Sequence, residues 1–124
     1  VLTMAKSKYE RITAARLDID YQIKTSYYKL YLIQEKQKII GRNIRIFETI
    51  EKVALAKVES GKSIASDVLT VRIKLEELIN QIQLLEEQKQ SFTAVINQLL
   101  NDPTNTVIQV DTFEVFSADV YFSL

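Results

Sequence analysis

The stretch Glu59-Ser60-Gly61-Lys62-Ser63 decides the fold, because it is the breaker cluster between two long helical patterns. Gly61 suits the left-handed position that follows a helix C-terminus, and Ser63 suits the N-cap of the next helix. A loop this short between two long amphipathic helices forces them to run antiparallel. The sequence therefore predicts a helical hairpin with its tip at residues 60–63.

The segment before the tip has the apolar periodicity of a very long helix. Its first seam, spaced alternately by three and four residues, comprises Ile12, Arg16, Ile19, Ile23, Ser26, Leu30, Ile33, Gln37, Ile40, Ile44, Phe47, Glu51, Ala54 and Val58. We predict a helix at about residues 9–59, roughly 75 Å long at 1.5 Å per residue. Gly41 weakens this helix by about 1 kcal/mol relative to Ala and could mark a bend or a close helix approach.

The segment after the tip carries a second seam of the same spacing. It comprises Ile64, Val68, Val71, Leu75, Leu78, Ile82, Leu85, Lys89, Phe92, Ile96 and Leu99. Lys89 is its one polar member, and we expect its apolar stem to lie along the groove while the ammonium reaches water. A helix is predicted at residues 64–100, ended by the turn chemistry of Asn101-Asp102-Pro103.

Both helices carry further apolar residues outside these seams. They are Leu17, Tyr21, Tyr28, Leu32, Ile46, Ile50 and Val53 on the first helix, and Leu69, Ile73, Ile79 and Val95 on the second. One hairpin cannot bury two stripes on each helix, so further helices from other repeats or subunits are expected to cover them.

Residues 101–124 differ in composition from the hairpin. From Thr104 the chain is rich in Val, Ile, Phe and Tyr, contains Asp111, Glu114 and Asp119, and has no basic residue. This composition favours extended structure, but the alternation is too irregular for a transmembrane barrel strand. We predict a connector, which could include short β segments, packed against the base of the hairpin. The fold class is therefore mainly α: a long antiparallel hairpin with a short extended C-terminal segment.

The composition argues against an enzyme. There is no Cys and no His, which excludes a thiolate nucleophile, a histidine base and the usual zinc sites. The carboxylate pairs Glu76-Glu77 and Glu86-Glu87 are solvated faces, because adjacent helix residues do not converge on one point. No catalytic residue, cofactor or metal is therefore expected.

Charge and hydropathy indicate which partners the chain can bind and whether it contains a signal peptide or a membrane helix. Residues 1–60 carry a net charge of +5 and residues 61–124 a net charge of −5, which favours contact between the two halves. The bases are interleaved with acids, so nucleic acid is not an expected partner. Residues 1–11 lack the apolar run of a signal peptide, and no stretch reaches the roughly 20 apolar residues of a membrane helix.

The stretch Lys57-Val-Glu-Ser-Gly-Lys-Ser-Ile-Ala-Ser-Asp-Val-Leu69 resembles the tip motif of the TolC family of outer-membrane efflux proteins. That motif reads as a basic residue, two or three positions, Gly, one position, a small or hydroxyl residue, two positions, and then Ser/Thr-Asp-Val-Leu. Upstream, Ser26-Tyr27-Tyr28-Lys29-Leu30-Tyr31 is similar to the family's Tyr-rich helix. Downstream, Ile96-Asn97-Gln98-Leu99-Leu100 is similar to its helix ending in Leu-Leu. Asn101 departs from the Gly found in many members.

The resemblance implies a passive role in transport. Such proteins form homotrimers in which hairpins build a periplasmic helical conduit below a barrel in the cell outer membrane, and the hairpin tips meet a periplasmic adaptor, or membrane fusion, protein. The likeness covers residues 15–101, one hairpin of the two in a full protein. Carried over, the partner-docking tip would consist of Gly61, Lys62, Ser63, Ser66, Asp67, Val68 and Leu69.

Other interpretations stay open at this point. Gly61 and Ser63 are equally explained by plain turn and cap chemistry, and Asp67 by its favourable place at a helix N-terminus. The whole chain could instead be a self-associating coiled-coil scaffold, which would need no tip motif. It could also be the hairpin of a periplasmic adaptor, which would be expected to carry flanking lipoyl-like halves.

Overall fold

Two long helices make up most of the molecule. The structure is a computed structural model that describes residues 1–104 and 106–110. Helix α1 spans Leu2–Glu59 and helix α2 spans Ala65–Leu99, and the two pack against each other as a hairpin. The predicted fold class, mainly α with an antiparallel hairpin, is confirmed. No strand occurs among the described residues. Of the connector predicted at residues 101–124, residues 105 and 111–124 lie outside them.

The helix bounds differ from the prediction mainly at the start of α1. This helix begins at Leu2 rather than near Tyr9. Residues 2–8 contain no Gly or Pro, so the backbone continues as a helix although these side chains are all exposed. Helix α2 is shorter than predicted by one residue at each end, with Ile64 as N-cap and Leu100 as C-cap.

Three cross-helix contacts define the register of the hairpin. Near the tip, Arg72 Nε donates to Glu51 Oε1 at 2.6 Å. At mid-height, Gln37 Nε2 donates to Glu86 Oε2 at 2.9 Å. Near the base, Lys29 Nζ lies 5.3 Å from the centroid of the Phe92 ring. Residues whose numbers add up to about 122 therefore lie at the same height.

Helix α1 extends well beyond the end of α2, because it has 58 residues against 35. Ile23 is the first residue of α1 that is not exposed. We call residues 1–22 the overhang, which is roughly 33 Å long. The first seam begins on it, but Ile12 and Ile19 are 56% and 40% exposed. Within the described residues, the seam is covered only from Ile23 to Val58.

The core is small and follows the two predicted seams. Its buried apolar residues are Leu30, Ile33, Val68, Leu78 and Ile96. Lys89 also occupies the seam, as predicted: its side chain is 26% exposed, and its ammonium lies 3.6 Å from Glu86. No described helix is apolar over a length sufficient to cross a bilayer.

The base of the hairpin is closed by a polar turn. Asn97 is buried and its side-chain amide donates to the carbonyl of Thr106 at 3.0 Å. The Asp102 carboxylate accepts hydrogen bonds from the Thr104 amide at 2.9 Å and from the Thr106 hydroxyl at 2.7 Å. These bonds hold the described part of the C-terminal segment against the end of α2.

Candidate docking site at the hairpin tip

The tip begins with a well-formed helix ending at the end of α1. Gly61 has φ +68°, the left-handed conformation predicted for it. Its amide donates to the carbonyl of Val58 at 3.0 Å, and the Lys62 amide donates to the carbonyl of Lys57 at 2.8 Å. This pair of bonds is a Schellman motif, which satisfies carbonyls that the helix end would otherwise leave without partners.

The start of α2 differs from the prediction. The turn chemistry predicts Ser63 as the N-cap, but Ile64 is the N-cap and makes no side-chain capping bond. The Ser63 hydroxyl instead donates to the Asp67 carboxylate. Asp67 lies in the first turn of α2, where a negative charge is favoured by the helix dipole. The predicted N-cap is therefore wrong by one residue. Ile64 occupies the N-cap position, and its apolar side chain cannot accept a hydrogen bond from the first turn of α2.

The tip residues divide into a covered side and an exposed side. Val68 is 6% exposed and belongs to the core, so it supports the tip rather than presenting a surface. Leu69 is 59% exposed beside it. Gly61, Lys62, Ser66 and Asp67 are all exposed, whereas Ser63 is half-buried. Six of the seven predicted docking residues therefore reach the surface at one end of the molecule.

Two shallow grooves flank the apex. One has a volume of about 570 Å³ and is lined mainly by apolar side chains, including those of Leu55, Val58 and Leu69. The other has a volume of about 240 Å³ and is lined by Val53, Asp67 and others. The tip thus offers apolar contact area on both sides of a charged turn, an arrangement suited to binding a protein.

Sequence reasoning missed one tip residue. Ile64 is 67% exposed at the start of α2 and adjoins Ser63, yet its spacing places it only in the second seam. The available signal was its position, because a residue in a tight turn is usually solvent-facing regardless of its seam register.

The described residues show no cluster of side chains arranged for metal binding or nucleophilic catalysis. No group of three or more His, Cys, Asp or Glu side chains in residues 1–104 and 106–110 could hold a metal ion. The Ser63 hydroxyl is bonded to a carboxylate in an exposed turn, with no basic imidazole or thiolate in the sequence to activate a nucleophile. The arrangement can support binding by shape and charge.

No protein-family model, curated protein or solved structure matches this chain.

Proposed function

We propose that this chain is a periplasmic helical hairpin of a TolC-like outer-membrane efflux protein. In this role it builds part of the wall of a helical conduit, as one hairpin of a homotrimer, and docks a periplasmic adaptor protein by its tip. The parent protein would be anchored in the outer membrane. The role is passive and structural, without a catalytic residue, cofactor or metal.

The observation that carries the proposal is the location of the stretch 57–69, which resembles the family's tip motif. These residues form the apex of a long hairpin, with a Schellman turn at Gly61 and exposed side chains at Lys62 and Leu69. The resemblance implies that this motif lies at a hairpin tip. Its coincidence with the turn supports a docking role.

The exposed apolar residues of the shaft also support a conduit. Leu32, Ile46 and Val53 on α1 are all more than half exposed, as are Leu69 and Ile73 on α2. Exposed apolar residues that recur along both helices are typical of elements that pack against further helices. A wall of side-by-side hairpins would cover it.

The test is a charge reversal at Lys62 in the intact protein that carries this chain. Lys62 is exposed in the turn, and its hydrogen bond to Lys57 is made by the backbone amide, so Lys62→Glu should leave the fold unchanged. We expect weaker crosslinking to the adaptor and reduced export, with normal trimer formation. Lys36→Glu, an equal charge change at an exposed position of the shaft, is the matched control and should have no effect.

Docking by the tip is refuted if both Lys62→Glu and Ser63→Ala leave adaptor crosslinking and export at the level of the control. The exposed shaft residues would then favour the second candidate function, a self-associating coiled-coil scaffold. A scaffold keeps its oligomeric state in all these variants and has no tip-dependent partner. The third interpretation, an adaptor hairpin, predicts instead that the tip crosslinks to an outer-membrane protein.

A further inference from the structure

Helix α1 carries a row of bases on the side that faces away from α2. Lys38, Arg42 and Arg45 lie roughly opposite the buried seam, at about 100° per residue, and all three are exposed. They line a groove of about 650 Å³ that has no carboxylate among its described lining residues. We call this side of residues 32–53 the outer face of α1. Glu35 is its one acidic residue and is bound by Lys38 at 2.7 Å, so the face has an excess of positive charge.

The two arginines of this face lack an acidic partner. Arg42 donates to the carbonyl of Lys38 at 3.4 Å, and neither Arg42 nor Arg45 forms an ion pair with a carboxylate of the described residues. Guanidinium groups bind planar carboxylates well. The outer face of α1 therefore fits a surface that presents carboxylates.

Helix α2 carries the opposite charge on its own outer side. Glu76, Glu77 and Glu87 are exposed on the side that faces away from α1, and no base within residues 69–90 lies on that side. We call it the outer face of α2. Glu77 is bound by Lys74 at 2.9 Å, whereas Glu76 and Glu87 form no ion pair with a base of the described residues.

Apolar residues on the two outer faces lie at the same heights. Residues whose numbers add up to about 122 are level in the hairpin, so Ile39 is level with Leu84, and Val53 is level with Leu69. Each of these four side chains is 50–59% exposed. A second hairpin beside the first, in the same orientation and without a vertical shift, would bring these apolar residues together.

The charges match in height as well. Arg45 is level with Glu77 by the same register. Glu87 is level with Glu35, and Lys38, which already binds Glu35, lies about 4.5 Å nearer the tip and can bridge the two carboxylates. Contact between two α1 helices would instead bring bases together, and contact between two α2 helices would bring acids together.

We propose that the outer face of α1 binds the outer face of α2 in a second copy of this chain, with the two hairpins side by side, in the same orientation and at the same height. Both halves of this interface are present on one chain at matched heights, which favours a second copy over an unrelated partner. The contact is heterologous, so it adds copies into a ring or an open filament rather than a two-fold dimer. The inference does not rest on the conduit role, because a scaffold of these hairpins would use the same two faces.

The test is disulfide crosslinking between single-cysteine variants of the chain, which has no native cysteine. Ala56 and Ser66 continue the two outer faces toward the tip, are exposed and are level with each other. A mixture of Ala56→Cys and Ser66→Cys should form the mixed disulfide at least about tenfold faster than either variant forms a disulfide with itself. The reason is that binding raises the effective thiol concentration for the mixed pair alone.

A matched control tests the register. Thr49 is exposed on the same face as Ala56 but lies seven residues, or about 10 Å, further from the tip. A mixture of Thr49→Cys and Ser66→Cys should therefore form its mixed disulfide slowly, because the two sulfur atoms cannot meet without a shift of the helices.

Charge reversal supplies a second measurement. Arg42→Glu with Arg45→Glu, in the chain that carries the α1 cysteine, should slow the mixed disulfide to the rate of the control. Adding Glu76→Lys with Glu77→Lys, in the chain that carries the α2 cysteine, should restore it. Circular dichroism checks that each variant keeps its helices.

Three outcomes would overturn the proposal. Disulfides between identical positions that form as fast as the mixed one would mean that copies do not pair α1 with α2. A mixed disulfide that is no faster than the control would mean that the two faces do not meet in this register. A rate unchanged by charge reversal would mean that the charges of the outer faces do not join the copies. Because the experiment contains no adaptor, none of these outcomes bears on docking by the tip.

Discussion

Two helix ends in this chain use the same backbone conformation with different residues. Gly61 follows α1 with φ +68°, and Asn101 follows α2 with φ +54°. At the second end, the Asn101 amide donates to Gln98 and the Asp102 amide donates to Asn97, at 3.1 and 2.9 Å. This is again a Schellman motif. Asn is the residue other than Gly that most readily adopts left-handed geometry, so Asn101 preserves the exit from the helix.

The two glycines should respond in opposite ways to alanine. At both positions an added Cβ would meet nothing within 4 Å, so only the backbone differs: Gly61 has positive φ and Gly41 is helical. Gly61→Ala should lower the free energy of unfolding by about 1 kcal/mol, and Gly41→Ala should raise it by about 0.5–1 kcal/mol. Urea denaturation measures both. The same sign for the two variants would contradict this account.

The turn at Asp102 should open in acid. Hydrogen bonds from the Thr104 and Thr106 side chains, with the Thr104 amide, hold the pKa of Asp102 below its ordinary value of 3.8. Because the folded pKa is lowered, the turn is fully stabilised above the unfolded value and loses stability as pH falls through the folded pKa. The Thr104 amide proton resonance should therefore titrate below about pH 4. In Asp102→Asn this titration should be absent, and its persistence would assign it to another carboxylate.

At the scale of the element, helix α1 has two parts that differ in their packing. From Ile23 onward it packs on α2, whereas residues 1–22 are all exposed. A helix without tertiary contacts depends on local propensity, whereas most helices in proteins owe their stability to packing. The overhang is continuous with the packed part, yet its stability has a different source.

Amide hydrogen exchange should reveal this boundary. In a monomer, amides of residues 5–20 should exchange much faster than those of residues 30–55, since local opening of the overhang breaks no packing. The measurement is exchange followed by NMR at low protein concentration. Strong protection of residues 5–20 under these conditions would contradict this account.

Much of the fold could be predicted because the apolar residues of both helices recur at helical spacing. The seams, the antiparallel arrangement and the left-handed Gly61 all follow from spacing and turn chemistry, and the structure contains each of them. The start of α1 could not be found this way, because seam periodicity reports packing and residues 2–8 have none.

The candidate site was predictable in location but not in orientation. The turn chemistry predicted the tip at residues 60–63. Whether Val68 or Leu69 faces outward depends on the rotation of α2 against α1, and only the structure shows that Val68 is buried. The Ser63–Asp67 bond likewise depends on which residue becomes the N-cap, a choice that differs by a single residue.

At the scale of the whole molecule, the exposed apolar residues of α1 form a second stripe. Leu32, Ile39, Ile46 and Val53 recur every seven residues and are 50–56% exposed. A seven-residue apolar repeat is the pattern by which helices pack in coiled coils. A single hairpin leaves this stripe in water, so we expect copies of the chain to associate through it.

Ile46→Glu should weaken that association. A charge at the centre of the stripe would have to be desolvated on assembly, which costs more than the contact contributes. Sedimentation velocity should show concentration-dependent oligomers for the native chain and a monomer for the variant. Gln83→Glu introduces the same charge at an exposed position of α2 and should behave like the native chain. A native chain that stays monomeric at high concentration would contradict the expectation.

The register of the hairpin also sets the order in which it assembles. The Glu51–Arg72 contact joins residues 21 apart, and the Gln37–Glu86 contact joins residues 49 apart. Forming a contact between residues far apart in sequence costs more chain entropy than forming one between near residues. If the contacts form in order from the turn, each new contact closes only a short disordered segment. The contacts between α1 and α2 should therefore form first near Gly61 and then progressively toward the base. The core around Leu30 and Ile96 forms last and opens first, so substitutions there should speed unfolding, whereas those at the turn should slow folding.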